Sequence, residues 1–378
     1  MGDVRAPLLW LSGPSGVGKS TVGWEVFALL SRNGVKTAFV DADQISLCHP
    51  MPEGMTHRLR ARNLAAMWRN FQQEGGRCLV LAGFVHTPEE VREYTTLLPG
   101  LRFTVCRLRV GSAELKERFL ARGWRPELVE PAVAEARGLD HSDYADLCVP
   151  TGGLTVPEAA RLVRERAGGW PGDLPAATLG DAAGRRSRPP ADDAPFPVLW
   201  VCGATAVGKS TAGYELFTQI HRSGVRAAYV DVKQISALGP GADHRALKAR
   251  NLAAVWSGHR AMGARCLVVS GEADDTVRDY ADRLPGAEIT VCRLHADPET
   301  LAERVAQRGR GGGPAIPGDE LRGLDADALS RAAGRAAREA EALDRAQVGH
   351  LRIDTDGRSV QEVAADVLAR SGGWPRLT

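Results

Sequence analysis

The chain is written twice. Residues 11–46 align without gaps on residues 201–236, with 18 identities in 36 positions. The repeat continues through Ala61-Arg62-Asn63-Leu64-Ala65-Ala66 against Ala249-Arg250-Asn251-Leu252-Ala253-Ala254. It continues again through Thr104-Val105-Cys106-Arg107-Leu108 against Thr290-Val291-Cys292-Arg293-Leu294. Both halves close on Gly-Gly-Trp-Pro, at 168–171 and 372–375, and the second carries 18 extra residues between Arg308 and Asp344. An offset of 186–204 residues is far too long for a solenoid repeat and reads as a duplicated domain. The expected division is a first domain at 1–172, a flexible linker at 173–196 and a second domain, with a longer lid segment, at 197–378. The linker holds four Pro and six Ala and no Val or Ile, too little apolar surface to offset its ordering entropy.

Within each half, short apolar runs alternate with helical patterns. Pro7–Ser12, Thr37–Val40, Cys78–Ala82, Phe103–Leu108 and Asp146–Val149 read as strands; Lys19–Arg32, Arg58–Gln73, Ala113–Ala121 and Val156–Arg166 read as helices. That alternation predicts an α/β protein of two tandem domains, each a parallel sheet with helices on both faces. Trp68 and Trp256 are expected in the core.

The sharpest local signal is Gly13-Pro14-Ser15-Gly16-Val17-Gly18-Lys19-Ser20-Thr21, placed where the first strand ends and the first helix begins. This is a G-x4-G-K-[ST] phosphate loop. Its glycines let backbone amides curl around phosphate oxygens, and the helix N-terminus adds partial positive charge. Gly13, Ser15, Gly16, Val17, Gly18, Lys19, Ser20 and Thr21 are therefore candidate ATP-binding residues, with Lys19 reaching the outer phosphates and Ser20 a magnesium ligand. The second half repeats the loop as Gly203-Ala204-Thr205-Ala206-Val207-Gly208-Lys209-Ser210-Thr211. There Gly203, Thr205, Ala206, Val207, Gly208, Lys209, Ser210 and Thr211 take the same expectation, with Ser210 a metal ligand. Only six of the 48 basic residues are Lys, and two of them stand in these loops.

Asp41-Ala42-Asp43 follows the second strand, so both carboxylates lie at a strand C-terminus, where α/β ligands sit. One can hold magnesium and the other accept a proton from a substrate hydroxyl; the alternative is a helix cap for a segment from Gln44. The next strand ends in Gly83, without the Asp-Glu of motor-type ATPases, which favours a small-molecule kinase.

The loop, the Asp-x-Asp and the Gly-ended strand resemble the P-loop kinases of small metabolites: shikimate, gluconate, adenylylsulfate and, more distantly, adenylate kinase. The resemblance covers each half. It implies Asp41 as the magnesium residue and Asp43 as the residue facing the substrate hydroxyl, with Asp231 the counterpart of Asp41. It also implies an arginine lid, placed at Arg118 and Arg122 in the first half, with Arg304 and Arg308 as counterparts. Four residues apart on a helix, such a pair shares one face and can neutralise a transferring phosphoryl group. The helix carrying His57, Arg58, Arg60, Arg62 and Asn63 occupies the family's substrate side, and Arg58, Arg62 and Asn63 are its candidate substrate-binding residues beside Asp43. Lys19, Asp43, Arg118 and Arg122 are the candidate catalytic set.

The expected activity is transfer of the γ-phosphoryl group of ATP, with magnesium (Mg2+), to a hydroxyl of a small metabolite. Two alternatives stand beside it: a nucleotide-dependent regulatory or scaffolding protein with slow ATPase activity, and a kinase of polynucleotide ends. A formal charge of +2 from 48 basic and 46 acidic residues gives no dense basic face, so nucleic acid is disfavoured as a partner. No apolar run approaches the ~18 residues of a membrane helix, and the seven cysteines form no C-x-x-C pair. A cytoplasmic protein with a small-molecule substrate, room for an anionic group on it, and two halves packing as a pseudo-dimer is the expectation.

The halves are not expected to be equal. Asp43 aligns with Lys233, and a protonated Lys neither accepts a proton nor assists a cation. The first half is the expected catalytic one, the second a nucleotide-binding or regulatory one, with Glu272 as the residue that could supply a replacement carboxylate.

Overall fold

The structure, a computed structural model, describes residues 5–51, 54–121, 126–174, 195–241, 245–273, 276–313 and 316–376. In the first half the elements run β1 (Ala6–Ser12), α1 (Lys19–Arg32), β2 (Thr37–Asp41), β3 (Cys48–His49), α2 (Met55–Gln73), β4 (Cys78–Ala82), α3 (Pro88–Leu97), β5 (Leu101–Arg109), α4 (Ser112–Leu120), α5 (Val129–Leu139), β6 (Leu147–Pro150) and α6 (Val156–Arg166). In the second they run β7 (Phe196–Gly203), α7 (Lys209–Arg222), β8 (Ala227–Asp231), β9 (Ala237–Gly239), α8 (Arg245–Ala261), β10 (Cys266–Ser270), α9 (Thr276–Ala281), β11 (Ala287–His295), α10 (Pro298–Gly309), α11 (Ala326–Arg345), β12 (Leu351–Asp354) and α12 (Val360–Arg370). The fold class is α/β as expected. The helices that carry the sequence into the sheets, α3, α5 and α11, were not read from the pattern.

Two compact units result, and neither is a contiguous half. Unit 1 comprises Met1–Ser46, Gly54–Arg185 and Gln234–Leu247; unit 2 comprises Leu47–Glu53, Arg186–Lys233 and Lys248–Thr378. The division at 1–172 and 197–378 therefore differs from the compact units by two short exchanged segments. Most of the expected linker, residues 175–194, lies outside the described residues.

Unit 1 holds a six-stranded sheet in the order β6-β5-β1-β4-β2-β9. The pairs β6–β5, β5–β1, β1–β4 and β4–β2 are parallel, and β9 closes the β2 edge antiparallel, with Thr37 opposite Gly239 and Ala38 opposite Leu238. Every residue of β1 is buried, as an apolar strand covered on both faces requires. Leu9 and Leu11 share a cluster with Val22, Val26 and Leu30 of α1 and Ala160 and Val163 of α6. Trp10 points the other way; its ring centroid lies 4.4 Å from that of Tyr94 in α3, and its Nε1 donates to Gly83 O at 3.0 Å.

Unit 2 repeats the plan in the order β12-β11-β7-β10-β8-β3, with β3 antiparallel on β8. Ala227 lies opposite His49 and Ala228 opposite Cys48, the same register through the repeat as Thr37–Gly239 and Ala38–Leu238. Trp200 donates through Nε1 to Glu272 O at 2.9 Å and lies 4.7 Å from Tyr280, as Trp10 does with Gly83 and Tyr94. In both units β1 or β7 and β2 or β8 deliver their C-terminal ends to one edge of the sheet, beside the phosphate loop.

Candidate active site

The loop between β1 and α1 takes its shape from backbone conformations that side chains resist. Gly13 has φ +131°, and a Cβ there would lie 2.7 Å from Leu108 O of β5. Gly16 has φ +87°; its counterpart in unit 2 is Ala206, which holds φ 65° in the left-handed region, at an expense of roughly 1–2 kcal/mol. No side chain caps α1 or α7, whose Ncap residues are Gly18 and Gly208. The first-turn amides thus keep the character of an anion receptor. Lys19 Nζ folds back over the loop and donates to Gly13 O at 2.8 Å and Pro14 O at 3.0 Å; Lys209 does the same with Gly203 O and Ala204 O, both at 2.9 Å.

The hydroxyl and acidic residues singled out in the sequence meet. Ser20 Oγ donates to Asp41 Oδ2 at 2.6 Å, and Asp41 Oδ1 accepts the Asp43 backbone N–H at 3.0 Å. Burial, reinforced by the Asp43 charge, pushes the Asp41 carboxyl up to about 6. Unit 2 keeps the arrangement: Ser210 Oγ donates to Asp231 Oδ2 at 2.6 Å, and Asp231 Oδ1 accepts the Lys233 N–H at 3.0 Å. Burial raises Asp231 likewise, and burial followed by the neighbouring Lys233 charge brings Lys209 down to about 8. Residues 42–45 form a turn and no helix starts at Gln44, so Asp43 caps nothing.

The residue that engages Asp43 is Arg60, which the sequence reading named only as one of a basic helix. Arg60 is 3% exposed; its guanidinium forms an ion pair with the Asp43 carboxylate, donates through Nε to Ser46 Oγ at 3.0 Å and stacks 4.1 Å from the Phe84 ring centroid. Its Nη1 has no protein partner. Arg58 and Arg62, by contrast, are exposed on α2, and Asn63 is buried and donates to Ile45 O at 2.7 Å, holding the turn after Asp43. Of the substrate-side candidates, Asn63 is a scaffold for the turn.

Arg118 does not stand free as a lid residue. It donates to Val17 O at 3.0 Å, Glu114 Oε1 at 2.5 Å and Thr151 O at 3.1 Å, and so ties α4 to the phosphate loop. Arg304 ties α10 to the second loop through Val207 O at 3.0 Å and Thr355. Arg122 lies outside the described residues.

Sequence reading missed a second tie. Glu135 of α5 accepts the Ser15 N–H at 3.3 Å and bonds His86 Nε2 at 2.8 Å. The Glu135 hydrogen bond raises the His86 pKa; burial opposes it for Glu135, but the bonds from His86 and Ser15 hold that carboxyl below its ordinary value. The His86 backbone N–H in turn donates to Glu90 Oε2 at 2.7 Å, and Glu90 Oε1 lies 3.4 Å from His57 Nε2. The signal existed: beyond the inserted segment the repeat pairs Glu135 with Glu339, which accepts the Thr205 N–H at 2.8 Å.

Unit 2 redistributes charge beside its loop. Through the repeat, Asp43 becomes Lys233, Arg60 becomes Lys248 and Phe84 becomes Glu272. Lys248 Nζ donates to Glu272 Oε1 at 2.6 Å, so the carboxylate that could have replaced Asp43 is neutralised where it stands. Among the described residues no group of three or more His, Cys, Asp or Glu side chains could hold a metal by itself, and no helix is long and apolar enough to cross a membrane.

No curated protein matches this chain. Solved structures to which the chain is similar include an APS kinase of Mycobacterium tuberculosis in complex with AMPPNP and APS (17% identity, TM-score 0.32, covering 43% of this chain and 98% of that one); a gluconokinase of Sinorhizobium meliloti (19%, 0.31, 46% and 90%); and a shikimate kinase of Acinetobacter baumannii in complex with shikimate (12%, 0.31, 48% and 96%). The sequence model of the adenylylsulphate kinase family matches residues 5–104, the stretch that contains the first phosphate loop, Asp41, Asp43 and Arg60.

Proposed function

We propose that unit 1 is an ATP-dependent kinase that transfers the γ-phosphoryl group to a hydroxyl of a small molecule, and that unit 2 is a nucleotide-binding partner. The observation that carries the reading is the line Ser20–Asp41–Asp43–Arg60 beside the loop. The loop amides and Lys19 receive the phosphates, and Lys19 leaves the Gly13 and Pro14 carbonyls to do so. Ser20 and Asp41 are hard oxygen donors side by side, and Asp41 carries a burial and repulsion strain that a divalent cation relieves, so they fit magnesium. That ion, when bound, neutralises charge on the phosphate oxygens.

Asp43 accepts the acceptor's hydroxyl proton while Arg60 holds its carboxylate in place. Burying Arg60 against Phe84 leaves Nη1 to meet an anionic group of the acceptor. Arg118 and Glu135 keep the loop in register from α4 and α5. The family match makes adenylylsulfate the first acceptor to assay.

The test is phosphoryl transfer by Lys19→Ala and Lys209→Ala, each made in the full chain, against adenylylsulfate and then a metabolite extract. Loss confined to Lys19→Ala is the expected result. Half the turnover lost in each variant indicates two equivalent kinases, and loss only with Lys209→Ala reverses the assignment. ATP consumption in wild type that no acceptor stimulates favours the slow-ATPase alternative.

A further inference from the structure

The donor pair that fits a divalent cation in unit 1 recurs in unit 2, but the charge beside it does not. Ser210 and Asp231 keep the geometry of Ser20 and Asp41, each pair at 2.6 Å. The next position differs. Asp43 is replaced by Lys233, an exposed residue whose backbone N–H is fixed on Asp231 Oδ1 at 3.0 Å and whose side-chain charge acts on both Asp231 and Lys209. Asp to Lys adds two units of positive charge at this position. Glu272, in place of Phe84, returns one unit, but Lys248 holds it at 2.6 Å. A second cation brought to Ser210 and Asp231 would meet the Lys233 ammonium. An ammonium is itself a compact point charge suited to phosphate.

Resting on the reading of both loops as nucleotide sites, we infer that the second loop binds the polyphosphate tail of a nucleotide without a divalent cation. Lys233 supplies the positive charge that magnesium supplies beside Ser20 and Asp41. The second half is then a sensor of metal-free nucleotide, and its lack of a proton acceptor at position 233 leaves the nucleotide intact.

The test is calorimetric binding of ATP to full-length chains, once in excess magnesium chloride and once in excess EDTA. Lys19→Ala leaves the second loop as the site; Lys209→Ala leaves the first. The Lys19→Ala chain is expected to bind ATP with an affinity that EDTA changes by less than about threefold, and the Lys209→Ala chain to lose roughly tenfold or more, about 1.4 kcal/mol per decade. On the Lys19→Ala background, Lys233→Met is expected to weaken binding in EDTA by roughly tenfold, and Lys233→Asp to make binding depend on magnesium. Position 233 is exposed, so both variants fold. EDTA sensitivity of the Lys19→Ala chain, or a Lys233→Met variant that binds as tightly as its parent in EDTA, overturns the inference. A Lys19→Ala chain that binds no ATP in either buffer, while Lys209→Ala binds, also overturns it and leaves the unit 1 reading intact. ATP binding that survives in the Lys19→Ala/Lys209→Ala double variant refutes the loop reading itself.

Discussion

Asp43 serves two neighbours at once: its backbone N–H is fixed on Asp41 and its carboxylate on the buried Arg60. Asp43→Asn keeps the shape and hydrogen-bonding capacity but removes the proton acceptor. Transfer should slow by roughly 10²–10⁴ while ATP affinity changes little; unchanged turnover would remove the proposed role. The half-exposed carboxylate contributes modestly to stability, so an Asn here should lower it by no more than about 1 kcal/mol. His57, one turn before Arg60, gives a pH signature. It is 8% exposed, and burial pushes its pKa from 6.5 down to about 4, with the Glu90 charge opposing. A histidine held neutral in the fold contributes stability that is full above pH 6.5 and lost as pH falls toward 4. The loss attributable to this group is at most ~3 kcal/mol. Denaturant midpoints of wild type and His57→Gln at pH 7 and pH 5 check it: the variant should lose less stability between the two. Equal losses would show that His57 is protonated in the folded chain as readily as in the unfolded one.

At the scale of elements, two helices outside the βα unit hold the phosphate loop. Arg118 on α4 bonds Val17 O, and Glu135 on α5 bonds the Ser15 N–H. Both recur in unit 2, as Arg304 on Val207 O and Glu339 on the Thr205 N–H. A loop without a side-chain cap is thereby pinned from its donor and acceptor sides. Arg118→Ala should release the Val17 and Thr151 carbonyls together. For a charged donor at a partly exposed site this is worth about 2 kcal/mol of stability, and ATP affinity should fall roughly tenfold. Thermal unfolding with and without ATP separates this from a lid role, in which kcat falls while the unfolding temperature and ATP affinity stay put.

At the scale of the whole molecule, each compact unit takes its edge strand from the other half of the sequence. Gln234–Leu247 belongs to unit 1 and Leu47–Glu53 to unit 2, and their strands pair in matching register. An unpaired β2 would present a row of free backbone groups. A fragment of residues 1–174 lacks β9 but retains β3, its repeat counterpart, which in the full chain pairs away from β2. The expected result is a fragment dimer that trades Cys48–His49 between copies, the usual behaviour of an exchanged element. Light scattering after size exclusion reads it. A monomeric fragment of unchanged stability would mean that Cys48–His49 folds back on its own β2.

What the sequence determined by itself is local or periodic. The phosphate loop, the central strands and the helices of 3.6-residue period follow from residue spacing, because a left-handed glycine, a buried apolar run and an amphipathic face are properties of neighbouring residues. The internal sequence repeat was legible for the same reason, and through it the alignment of Asp43 with Lys233. The tertiary structure decided what joins residues distant in the chain. Arg60 became the partner of Asp43 because the turn at 42–45 and helix α2 fold onto each other, an ion pair that no spacing predicts. Arg118 and Glu135 reached the loop because β5 and β6 carry α4 and α5 back beside β1. The exchange of β3 and β9 was invisible because both segments are two or three residues long between the same Gln-Ile-Ser and a Pro, too short for their side chains to specify one partner strand. Their pairing is settled by where the chain's connections let each segment reach.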